Sequence, residues 1–141
     1  MDTTRTALIA GALTLVSLAI APSAVAGAST HEYVRIAQLS LRPEVLHIDE
    51  GQSVGWLNVS RHAARVTFQR EAARHMICDS EQAFRLTESG LESRRIQGRQ
   101  FASMCQLEPG EYRYTVELEQ SASGSGTTGL VRQLHGTLVV H

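Results

Sequence analysis

The sequence predicts an all-β domain, an antiparallel sandwich of seven to eight short strands, and three observations carry that reading. Apolar and polar residues alternate with a period of two through several runs, as in Tyr112, Tyr114, Val116 and Leu118 against Arg113, Thr115, Glu117 and Glu119. Turn signals recur at short intervals, among them Asp49-Glu50-Gly51, Ser89-Gly90 and Pro109-Gly110. Once an N-terminal signal is set aside, the remaining length suits one small domain around one core.

The first element is that signal. Arg5 precedes an apolar run from Ala7 to Ile20, and Pro22, Ser23, Ala24, Val25 and Ala26 follow with small residues where a signal peptidase cuts. Residues 1–26 therefore read as a secretory signal peptide and residues 27–141 as the domain. The apolar run is about 14 residues, short of the roughly 20 that a membrane-spanning helix needs. The expected location is periplasmic or secreted, with no membrane span after cleavage.

Strands follow in order. Tyr33 to Leu39 is β-prone, Glu44 to Ile48 alternates up to the Asp49-Glu50-Gly51 turn, and Ser53 to Asn58 carries the sole tryptophan, Trp56. His62, Ala64, Val66 and Phe68 share one face of the next strand, with Arg61, Arg65 and Thr67 on the other, so His62 is expected to point inward. Alternation then fails. Glu71-Ala72-Ala73-Arg74-His75-Met76 has the composition of one short helical insertion. Gln82 to Thr87 and Glu92 to Gln97 read as strands around Ser89-Gly90, and Phe101 to Leu107 as another entering the Pro109-Gly110 turn. Tyr112 to Leu118 and Gly136 to Val140 close the domain. Between these two, Ser121 to Gly129 is a low-complexity Ser/Gly/Thr run that reads as a loop.

Charge excludes two classes of partner. The formal net charge is −1, and Asp2 and Arg5 cancel within the signal, so no basic field exists for nucleic acid or an anionic membrane. Every one of the 13 basic residues is arginine, which a coding bias explains without a function.

The cysteines number two, Cys78 and Cys105, and in an exported chain a lone pair reads as a disulfide. Closing a loop of about 28 residues stabilises a domain by roughly 3–4 kcal/mol. The competing reading is a soft-metal site for copper. His75, Met76 and Cys78, with Met104 and Cys105, bring imidazole, thioether and thiol groups close together in sequence, and His62 is a further candidate ligand.

Certain segments resemble the small blue copper proteins, the plastocyanin and azurin group. They are Arg42-Pro43-Glu44 leading to Ile48-Asp49-Glu50-Gly51-Gln52-Ser53-Val54-Gly55-Trp56-Leu57-Asn58, the histidine-bearing strand ending in Phe68, Pro109-Gly110-Glu111-Tyr112-Arg113-Tyr114, and the closing Gly136-Thr137-Leu138-Val139-Val140. The resemblance spans nearly the whole mature region and implies a cupredoxin-like Greek-key sandwich. It also implies where copper ligands would stand. The first histidine position falls on Ala64, with His62 two residues earlier; the cysteine position falls on Val116; the axial methionine position falls near Leu134; the second histidine would come from the Ser/Gly run. A type 1 centre needs a thiolate and two imidazoles. None is expected here, and no cofactor is expected, with copper on a non-standard ligand set as the alternative.

His31, His47, His135 and His141 show no H-x-H or H-x-x-x-H spacing, although residues from several strands can still assemble a metal site invisible to spacing. No G-x-S-x-G, H-E-x-x-H or phosphate-binding glycine loop occurs, so an enzyme is not expected. Asn58-Val59-Ser60 matches a glycosylation sequon to which no function attaches. The expectation is a cupredoxin-like domain without type 1 copper, acting as a non-catalytic binding or assembly module. Its unknown protein partner would lie in the cell envelope or extracellular space. The Glu71–Asp79 and Ser121–Gly129 segments are the expected contact loops.

Overall fold

The structure is a computed structural model and describes residues 31–77, 83–104, 106–119 and 132–141. Two sheets pack face to face. One has the strand order β2-β1-β4-β8, built from β1 His31–Ile36, β2 Leu41–Arg42, β4 Ser53–Asn58 and β8 Phe101–Met104. The other has the order β3-β10-β9-β5-β7-β6. It comprises β3 Val45–Ile48, β5 Ala63–Phe68, β6 Phe84–Leu86, β7 Leu91–Ser93, β9 Gly110–Glu119 and β10 Arg132–Val140. The described strands number ten, because two-residue β2 and the short β6 and β7 add to the long strands whose alternation is plain. Pairing is mostly antiparallel, but β1 with β4 and β3 with β10 run parallel.

Burial follows the pleat. Along β9 the inward set is Tyr112, Tyr114, Val116 and Leu118, and along β10 it is Gly136, Leu138 and Val140. Trp56 forms the centre of the core, with Phe68, Phe84 and Tyr114 around it at centroid separations of 5.5, 5.4 and 5.5 Å. Edge and tilted contacts of this kind suit the ring quadrupoles. Two glycines are dictated by close approach. Gly136 lies under the Tyr114 ring, where a Cβ would fall 2.4 Å from the phenol oxygen. Gly90 has φ +142 and its Cβ would meet the Phe68 carbonyl oxygen at 2.2 Å, so the β6–β7 turn accepts no side chain there.

The helical insertion is a 3₁₀ helix, Arg70–His75, that buries Ala72 against the core. The strand expected over Glu92 to Gln97 is broken instead. Val66 N–H donates to Ser93 Oγ at 2.9 Å rather than to a carbonyl, and the Ser93 hydroxyl donates to the Arg94 carbonyl at 2.8 Å. The hydroxyl substitutes for the ladder, the chain bows out at Arg94 and Arg95, and pairing resumes only as the Ala64–Ile96 bridge.

Candidate functional site

Asn58 organises the end of the sandwich where β5 begins. It is fully buried, at 0 % exposure. Its Nδ2 donates to the carbonyls of His62 and Ile96 at 2.7 and 2.8 Å, while its Oδ1 accepts from Ser60 N–H and Ser60 Oγ at 2.9 and 2.7 Å. All four capacities of the amide are satisfied, so the turn is held rigidly and Ala64 is delivered in fixed register to Leu118 and Ile96.

His62 lies one residue before β5, not within it. Its carbonyl is taken by the Asn58 turn, which leaves it outside the ladder, and its ring is half-buried with Nδ1 buried and unpartnered. Gln38, Leu118 and Arg132 share with it a cavity of about 20 Å³. That suffices for about one water molecule.

Three neighbouring strands then place the positions that the copper-protein resemblance singles out. Val116 on β9 is paired across one side with Val66 on β5 and across the other with Leu134 on β10. Ala64 pairs with Leu118, the next inward residue of β9. Ala64, Val66 and Val116 are each at 0 % exposure and Leu134 packs against the same core. Methyl and methylene groups fill this site. None of them can donate an electron pair to copper, so the residues present do not fit a type 1 centre.

No family model matches this chain, and no curated protein matches it. Solved structures do. An oxidized mutant of amicyanin aligns with a TM-score of 0.53 at 20% identity, covering 82% of this chain and 87% of that one. Amicyanin from Paracoccus versutus (Thiobacillus versutus) aligns at 0.52 and 14% identity, covering 82% and 86%. The fold is cupredoxin-like. At such identity the likeness fixes the cupredoxin-like architecture and leaves the chemistry to the residues of this chain.

The alternative ligand set does not converge around His62. That residue sits beside Leu118, near the end of β9, whereas His75 bonds through Nδ1 to Glu108 Oε2 at 2.8 Å, ahead of the beginning of β9. The eight steps from Gly110 to Leu118 separate them by on the order of 25 Å. Met76 pairs with Leu107 and packs on the core, and Met104 is buried at the end of β8. Cys78, Cys105 and the Ser121–Gly129 run lie outside the described residues. Among the described residues, no three His, Cys, Asp or Glu side chains group as metal ligands, and no helix is long and apolar enough to cross a membrane.

Proposed function

We propose that this is an exported, cupredoxin-like domain that builds no type 1 copper centre and acts as a non-catalytic binding or assembly module. One observation carries the reading: Ala64, Val116 and Leu134 turn the expected ligand positions into a packed aliphatic joint across β5, β9 and β10. Copper there would have to displace core packing without gaining a donor.

The disulfide belongs to the same proposal. Met76 faces Leu107, with Ile77 N–H bonded to the Gln106 carbonyl at 3.0 Å and Glu108 N–H to the His75 carbonyl at 2.9 Å. Those bonds hold together Ile77 and Gln106, the described neighbours of the two cysteines, and a lone cysteine pair in an exported chain reads as a disulfide. So paired, neither sulfur remains for metal, which supports the binding module over the His/Met/Cys copper protein.

The contact region proposed is the exposed 3₁₀ segment and the chain that follows it, where Glu71, Arg74 and Ile77 face solvent. The test is in-cell cross-linking from Arg74 and Ile77, with thiol titration of the denatured, unreduced protein. The expected result is a discrete cross-linked adduct, lost on Ile77→Glu, and two blocked cysteines. Absence of any adduct, or two titratable thiols with bound copper, would overturn the proposal.

A further inference from the structure

His47 and His141 are 94 residues apart in sequence and touch in the fold. Parallel pairing of β3 with β10 matches His47 to Val139 and Ile48 to Val140, so His141 continues one step beyond β10 alongside the end of β3. Its backbone is pinned there. His141 N–H donates to the Ile48 carbonyl at 3.0 Å, and its own carbonyl accepts from Glu50 N–H at 2.9 Å. The rings lie nearly parallel, at 10°, and edge to edge with centroids 5.2 Å apart, and His47 Nδ1 stands 2.9 Å from His141 Nε2. Both rings are exposed.

Two basic nitrogens this close share one hydrogen: one ring donates N–H and the other offers its lone pair. A cation can take that hydrogen's place. Two metal–imidazole bonds of about 2.05 Å span about 2.9 Å between nitrogens at the right angle of tetragonal cupric copper and about 3.3 Å at the tetrahedral angle of zinc. The observed 2.9 Å lies within a few tenths of an ångström of both, and histidine χ2 is soft enough for exposed rings to turn their lone pairs together.

We propose that His47 and His141 form a two-imidazole chelate for a divalent transition ion of the class that prefers nitrogen ligands, zinc or cupric copper. Because no third protein ligand joins them among the described residues, water or a group from another molecule completes the coordination. The site lies beyond the opposite end of β10 from Leu134, seven residues or about 23 Å away, and does not depend on what fills the Ala64–Val116 region. Unfolded chain cannot hold the two rings together, so the ion binds the folded state and raises Tm with concentration.

The test is zinc titration by calorimetry of the whole mature protein, repeated on His47→Asn, His141→Asn and His135→Asn, with imidazole nitrogen NMR on the unmodified chain. His135 is the control, on the same strand but bonded to Thr115. One equivalent should bind, weaken at least tenfold in either of the first two variants, and stay unchanged in the third. The His47 and His141 ring resonances should shift first. Equal binding by all variants, binding lost with His135, or unmoved His47 and His141 resonances would overturn the chelate; the NMR arm decides even if a variant misfolds.

Discussion

Val116 on β9 is the cross-strand partner of Leu134 on β10, and both contribute to the apolar core. Aliphatic packing of this kind has a measurable cost of disruption. Val116→Ala should destabilise the domain by about 1.5–3 kcal/mol, combining lost burial with an unfilled void. Urea unfolding checks it, and a change below about 0.5 kcal/mol would mean that the joint is not packed as described.

Asn58 predicts a second loss. Asn58→Ala removes four hydrogen bonds from a fully buried position and leaves the Ser60 N–H without its acceptor. The expected penalty is about 2–4 kcal/mol. Thermal unfolding of the variant reads it directly.

Tyr114 links stability to alkaline pH. Burial, with a smaller contribution from Glu44, pushes its phenol up to about 12 from 10.0. Trp56 offsets a little of this, although neither the indole Nε1 nor the Tyr114 hydroxyl makes a hydrogen bond of proper distance and angle. Because the folded value lies above the unfolded one, the protonated phenol favours folding in full below pH 10, and that contribution drains away as pH rises toward about 12. Two units correspond to roughly 2–3 kcal/mol. Tyr114→Phe should therefore flatten the loss of stability between pH 10 and 12, measured by denaturant midpoint against pH. An unchanged slope would contradict this.

The cysteines furnish a fourth prediction. Cys78→Ser, Cys105→Ser and the double variant should each lose about 3–4 kcal/mol, equally and without additivity, as the ends of one bond. Unequal losses would show that the two sulfurs act separately.

Legibility in the sequence tracked how one-sided each strand's burial is. The Gly110–Glu119 strand buries alternate residues beneath the opposite sheet, so its pattern is visible before any fold is known, whereas in Ser53–Asn58 Gly55 is covered as well as Val54, Trp56 and Asn58. The Trp56 and Asn58 spacing that suggested a cupredoxin-like frame corresponds to the core centre and to the amide that holds the turn. Periodicity puts His62 on the strand face because it cannot register that the His62 carbonyl is consumed by Asn58 and Ser60. The Ser93 interruption is equally silent, since a serine hydroxyl replacing one ladder bond leaves no compositional trace. His47 and His141 meet only because β3 and β10 run parallel, a relationship no short spacing rule contains.

The most direct test of the central claim is the visible spectrum of the purified protein titrated with cupric ion. The account predicts no intense thiolate-to-copper absorption, with any bound copper confined to nitrogen ligands and released by His47→Asn. An intense blue colour from one stoichiometric copper, persisting in that variant, would contradict it.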